Sequence, residues 1–276
     1  MNGSSKIAIF AAGLVATATY ANAADVIPVM SRPAPVVEAV PEVKTAYGSG
    51  WYLRGDIGWA KVSTHEVTYY MTTPTLLGRF EKYDISDGWM IGGGIGYQAT
   101  DYFRVDLTGH HYLGMELDGS TARNVPCESV TPSGADSCSY SETGDLSVTT
   151  VLANAYLDLG KFSGFSPYVG AGIGGAKVQW GDITNKEYDD NNASNSVSSV
   201  HGGNSEWRFA WALHGGMSYD LSENLKLDAG YTFTHIEGGH MFNFEAGNID
   251  GNYGQQGFDG VMKIHAVRAG LRWMLD

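Results

Sequence analysis

Nowhere do the 276 residues hold the ~20 consecutive apolar residues that a membrane helix needs, so any bilayer span has to be made of strands. Bases are scarce, 17 Lys and Arg against 30 Asp and Glu, and they form no stripe. A nucleic-acid partner is thereby excluded. Only two cysteines occur, Cys127 and Cys138, without CxxC spacing, and neither HExxH nor GxSxG is present. Charged residues make up only 17% of the chain, with 37 glycines and 43% hydrophobic residues. That composition allows one barrel or sandwich domain.

What the chain does have is alternation. Between 207 and 221, Trp207, Phe209, Trp211, Leu213, Met217, Tyr219 and Leu221 share one parity, and Arg208, His214, Ser218 and Asp220 the other. After the turn Ser222-Glu223-Asn224 it resumes, with Leu225, Leu227, Ala229, Tyr231 and Phe233 opposite Lys226, Asp228, Thr232 and Thr234. Successive strand side chains point to opposite faces, so each strand has one apolar and one polar or small face. Aromatics stand toward both ends of the apolar face. This is the pattern of a transmembrane β-barrel with aromatic girdles and a polar interior.

Residues 1–23 read as a secretory signal peptide: Lys6, an apolar core over 7–18, and Ala21-Asn22-Ala23 before the cleavage point. Residues 24–49 contain Pro28, Pro33, Pro35 and Pro41 without periodicity and read as an extended periplasmic lead-in. The barrel is expected over 50–276, with strands near 50–62, 88–99, 102–116, 146–160, 166–180, 207–221, 224–236 and 261–275.

Three short connections alternate with four long ones, 64–87, 118–145, 182–206 and 237–260. The fold expected is all-β: an eight-stranded antiparallel up-and-down transmembrane barrel with long extracellular loops, short periplasmic turns and both termini periplasmic. The long segments hold 18 of the 30 acids and 4 of the 17 bases, so the net negative charge belongs to the loops.

Parity assigns Arg54, Asp56, Arg104, Asp106, Asp158, Arg208, Asp220, Lys226, Asp228, Arg268 and Arg272 to the interior, together with His110 and Glu116. Met115 falls outside. Eight strands leave just enough room for side chains to fill the lumen. Both signs in that space point to an ion-pair network, the rival reading being a gated pore with these charges as its filter. The glycine-rich strands near 88–99 and 166–180 suit close packing. On the outward parity Lys61, His111, Lys177, His235, Lys263 and His265 break the apolar face near one end. They are candidates for a belt on lipopolysaccharide phosphates, against simple snorkelling.

These stretches resemble a known family. GSGWYLRGDIGW, WMIGGGIGYQATDYFRVDLTG, SPYVGAGIGGAKV, NLKLDAGYTF and HAVRAGLRW are similar to the small OmpA-like outer-membrane β-barrel proteins of alphaproteobacteria, also called outer-membrane immunogenic or porin-family β-barrel proteins. The likeness covers essentially the whole mature chain. It implies an abundant surface protein that supports envelope integrity and meets host or environmental surfaces through its loops. Passage by the barrel-insertion machinery is implied too, although such chains usually end on an aromatic and this one ends Trp273-Met274-Leu275-Asp276.

An exported chain meets an oxidising compartment, so a local Cys127–Cys138 disulfide is expected over a metal site or nucleophile. No catalysis and no cofactor are expected. Two clusters merit testing against that view: His235, Glu237 and His240 for acid–base or metal chemistry, and Tyr69, Tyr70, His201 and His240 for haem capture, which the family resemblance also suggests. Porin-like passage of small solutes is the remaining alternative.

Overall fold

The computed structural model describes residues 50–70, 77–120, 127, 137–244 and 256–275; the expected signal peptide and lead-in lie outside the described residues. Among the described residues there are fifteen strands and no helix. In chain order they are β1 (Gly50–Thr64), β2 (Val67–Tyr70), β3 (Leu77–Arg79), β4 (Lys82–Ile85), β5 (Gly88–Gln98), β6 (Phe103–Ser120), β7 (Cys138–Asp158) and β8 (Phe165–Trp180). There follow β9 (Ile183–Asp189), β10 (Asn192–His201), β11 (Ser205–Asp220), β12 (Leu225–Ile236), β13 (Gly239–His240), β14 (Gly257–Asp259) and β15 (Met262–Met274).

Eight of them, β1, β5, β6, β7, β8, β11, β12 and β15, each pair antiparallel with the next, and β15 pairs back to β1. The sheet therefore closes on itself. Following the rungs from Lys61 through His265, Phe233, Leu213, Ala171, Ala155, Val105 and Tyr97 returns to β1 at Trp51, ten residues from the start. With ~3.3 Å per residue and ~4.8 Å between strands, that stagger tilts the strands by about 40° to the barrel axis.

Inward residues are buried and outward ones exposed in strict alternation along most of β1, β6 and β15. The inward glycines of β5 and β8 make room for large side chains from neighbouring strands. A Cβ at Gly96, for instance, would collide with the buried Tyr52 ring.

The sequence expectation needs three corrections. First, parity inverts in β6. Tyr112 pairs with Val148 but Met115 with Leu146, so Leu113 and Gly114 share one step of the ladder, and Gly114 takes a positive φ of 75°. This β-bulge turns Met115 inward and Glu116 outward, the reverse of the alternating reading.

Second, much of the expected loop is strand. β6 and β7 run on past the barrel, and β9 and β10 add a hairpin to β7. β13, β14, β2 and β3 form a separate four-stranded sheet from the first and last long segments.

Third, the interior is polar over only half its height. Ala60, Val62, Met90, Tyr112, Leu152, Ile264 and their neighbours form an apolar core under Trp180, Ile183, Met241 and Phe242.

Candidate functional site

The half of the lumen nearer the short turns holds a charge network built on inward positions of β1, β6, β7, β11, β12 and β15, with Lys161 from the turn after β7. Arg54 donates to Asp56 at 2.8 and 2.9 Å and to Asp106 at 3.0 Å. Arg268 donates to Asp56 at 2.7 Å, and Arg272 to Asp228 at 3.1 Å. Arg104 reaches Asp158 at 3.2 Å, its guanidinium carbon 4.1 Å from the Tyr156 ring centroid and 4.8 Å from that of Tyr168. Asp220, at the mouth, takes Lys226 at 2.6 Å and also Lys161.

Neutral groups complete the network. Asn154 donates to Asp106 at 2.7 Å, Tyr52 to Asp106 at 3.1 Å, and Ser218 to Asp228. His110 and His214 mark its upper edge, beside Asp56 and Asn154. Arg54, Arg104, Lys226, Arg268 and Arg272 face Asp56, Asp106, Asp158, Asp220 and Asp228, five against five inside the lumen, with the half-exposed Lys161 added at the mouth. Pairing offsets the desolvation that would otherwise forbid so many buried ions. A recess of about 150 Å³ at the mouth, touching Gln98, Asp158, Lys161, Lys226 and Arg272, marks where the network meets solvent.

Arg208 does not belong with the other ten interior charges. Ala210 and Ala212 follow it on the inward face of β11, and they are buried in the apolar core. Arg208 instead clamps the rim: it donates to Glu206 at 2.9 Å, Asp259 at 2.7 Å and the His240 carbonyl at 3.0 Å. Glu206 in turn accepts from the His240 backbone at 2.7 Å and lies 3.1 Å from its Nδ1. The clamp ties β13 and β14 to β11 and so holds the cap over the lumen. Burial pushes the Asp259 carboxyl above its ordinary range, and the Arg208 guanidinium works against that rise. Sequence reading misses this clamp, since Glu206 and Asp259 fall in expected loops.

Further out, Cys127 and Cys138 are joined in a disulfide, with Cα atoms 5.1 Å apart. It packs with Tyr140. Tyr140 Oη donates to the buried Glu187 carboxylate at 3.1 Å. Both sulfurs lie near Glu187, but bonded to each other they offer no thiolate to a metal. On the same face Asn185 donates to the buried Glu142 at 3.0 Å, and burial lifts that carboxyl to about 8. Asp189, a loop acid by sequence, is also buried there and accepts from the Asn191 backbone at 2.9 Å.

The other candidate groups diverge. His235 stacks outward on Trp211, ring centroids 5.0 Å apart, and Glu237 is exposed, while His240 is held by Glu206. Tyr69 packs on Phe80 at 5.2 Å, and His201 on Phe242 at 5.7 Å. Tyr70 lies in β2.

On the outside, Trp51, Tyr97, Phe103, Tyr219 and Trp273 ring the barrel near the short turns, and Trp59, Trp89, Phe209 and Trp211 ring it near the long segments. Given the stagger, the two rings stand about 20 Å apart along the axis, close to the apolar height of such barrels. Lys61, His111, Lys177, His235, Lys263 and His265 all face outward. Corrected for the tilt they fall within one band about 6 Å tall, level with the second ring.

The geometry can be set beside known proteins. A family model for the outer membrane protein β-barrel domain matches residues 34–273. An uncharacterised protein of Brucella suis biovar 1 is 34% identical over 97% of each chain. A putative adhesin of Rickettsia canadensis is 32% identical over 51% of this chain and 55% of its own length. Outer membrane protein PagN of Salmonella typhimurium is 25% identical over 67% and 73%. Among solved structures, Neisserial surface protein A aligns over 83% of this chain and 99% of its own with a TM-score of 0.46 and 16% identity. A closed eight-stranded ring with two aromatic girdles, matched by that family model over nearly all of its length, places the chain in the outer membrane protein β-barrel domain family and hence in the outer membrane.

Proposed function

We propose that this protein works at its outer surface and not through its lumen, as a non-catalytic, non-conducting component of the outer membrane. Its long segments face the cell exterior and both termini the periplasm. It supports envelope integrity, contacts membrane lipid including lipopolysaccharide, and meets host or environmental surfaces through its acidic loops. The barrel-insertion machinery is its partner during assembly. The Rickettsia relative, named a putative adhesin, agrees with a surface role.

One observation carries the reading. The lumen is occupied from end to end, by paired charges in one half and an apolar core in the other, and the Arg208 clamp holds a cap above both. A solute would have to break buried ion pairs and open a packed core. That packing speaks against porin-like passage. Single-channel recording of purified protein in planar bilayers tests this: the expected trace is flat, and discrete, reproducible openings by the wild type would sink the reading.

A further inference from the structure

Four of the six outward bases gather on three neighbouring strands. The rungs set Lys61 beside His265 and Lys263 beside His235, and Ser63 flanks Lys263 on β1. Lys61 and Lys263 are thereby diagonal neighbours on the outer face, where like charges repel unless something neutralises them. Inside the barrel each basic group of the network has a carboxylate. Among the described residues, neither Lys61 nor Lys263 has an ion-pair partner. Glu237, two residues beyond His235, is the next acid after β12, and its exposed carboxylate forms no ion pair with these bases among the described residues.

The floor of this patch is aromatic. Trp211 stacks on His235 with an interplanar angle of 17°, Phe233 lies 5.2 Å from His265, and Tyr231 hydrogen-bonds His265 Nδ1. When the Tyr231 hydroxyl donates, the His265 proton sits on Nε2, the ring nitrogen left to bind a ligand. The other two bases lie apart from this group, on β6 and β8. Lys177 stands between Trp207 and Thr149, and His111 is hydrogen-bonded to Thr149 at 2.9 Å. The six are thus level but not equivalent.

We infer that Lys61, Lys263, His235 and His265 form a clamp for the phosphate of a lipid head group, the aromatic floor holding the lipid's apolar part against β12, β15 and β1. At the girdle, lysine stems lie along apolar surface while their ammonium groups reach the head-group layer. A phosphate there neutralises both lysines at once and accepts from the imidazoles. The clamp rests on the outer-membrane reading above, and the lipid to which it is assigned is lipopolysaccharide.

The test uses full-length protein in detergent micelles as wild type, Lys61→Gln/Lys263→Gln and Lys177→Gln. Each is titrated with purified lipopolysaccharide, the same lipid enzymatically dephosphorylated, phosphatidylglycerol and inorganic phosphate, following affinity and thermal midpoint. Wild type and Lys177→Gln should bind lipopolysaccharide at least tenfold more tightly than the double variant, and a Lys61→Arg/Lys263→Arg variant should restore most of the loss. Phosphatidylglycerol should bind more weakly, and dephosphorylated lipid and free phosphate should bind wild type no better than the double variant. Equal affinity of wild type and the double variant overturns the clamp, as does undiminished binding of dephosphorylated lipid. Preference for phosphatidylglycerol or displacement by millimolar free phosphate overturns the assignment to lipopolysaccharide. Labelling of the long segments on intact cells judges the surface reading separately, because the micelle titration is indifferent to which way the barrel faces.

Discussion

The two halves of the lumen solve one packing problem in opposite ways. Near the short turns the inward side chains are arginines, aspartates and tyrosines, each ion matched by another. Near the long segments they are mostly Ala, Val, Leu, Ile and Met, with Tyr112 and two threonines among them, packed under the cap. The charged half needs specific partners, because a buried ion without one is expensive, and so it fixes which strand faces which. The apolar half needs volume and exclusion of water, which is why it comes with a lid held by Arg208, Glu206 and Asp259. Among the described residues nothing covers the charged half, which meets solvent through the recess at Asp158 and Lys226.

Mutation should separate the halves by pattern as well as by size. Arg54→Leu leaves Asp56 and Asp106 short of a partner and should lose about 3–5 kcal/mol, the range for a broken buried pair. Urea titration of refolding into lipid vesicles measures it. Removing Arg54 and Asp106 together should cost less than the two single changes summed. Strict additivity would mean that the network is wet and its pairs independent.

Leu152→Ala, in the apolar half, should cost about 2–4 kcal/mol from lost burial and a residual cavity. Here no second deletion should rescue the first. A loss below about 1 kcal/mol, by the same titration, would argue that this half is loosely packed.

Smaller effects belong outside the barrel. Glu142 has a folded pKa of about 8, raised from 4.5 by burial. The folded state therefore holds a proton that the unfolded segment releases between those values. The stability this group contributes is complete below about 4.5 and is lost as pH rises through about 8. Amide exchange in β9 should accelerate over that window more than intrinsic chemistry requires, and Glu142→Gln should flatten the rise. An unchanged profile in the variant would place the titration elsewhere. The disulfide is still more local. Cys127→Ser/Cys138→Ser should leave heat-modifiable migration of the barrel intact while speeding proteolysis between β6 and β7; loss of the folded band would tie the outer sheet to barrel assembly. Least of all should be Glu223→Gln in an exposed short turn, within about 0.5 kcal/mol. A larger shift would mean that the turn takes part in the network.

Alternation alone makes most of the barrel wall legible in the sequence. Trp207, Phe209 and Leu213 outward and Arg208 and His214 inward follow from period two, as do the inward ions of β1 and β15. Where alternation misleads, the cause lies beyond one strand. At Met115 and Glu116 a single bulged glycine shifts the residues that follow to the other face, and one glycine among 37 gives no warning. Asp189 reads as a surface acid because the continuation of β7 that buries it is polar. The apolar upper lumen does leave a trace: Met262, Ile264 and Ala266 sit on the same parity as Arg268 and Arg272. An inward face that changes from apolar to charged along one strand already describes a lumen of two kinds.

The sequence by itself determined the eight strands of the barrel wall and which side of that wall most of their residues face, because the pleat imposes period two on every strand independently. It also determined that the membrane could be crossed only by strands, and that the acids would crowd the long segments. Tertiary structure decided what meets what. The stagger of ten residues places Arg54 of β1 against Asp106 of β6, separates Arg208 from the other interior charges, and brings six bases from five strands to one height. None of those distances exists along the chain; they arise only when tilted strands close into a ring and rungs join residues far apart in sequence.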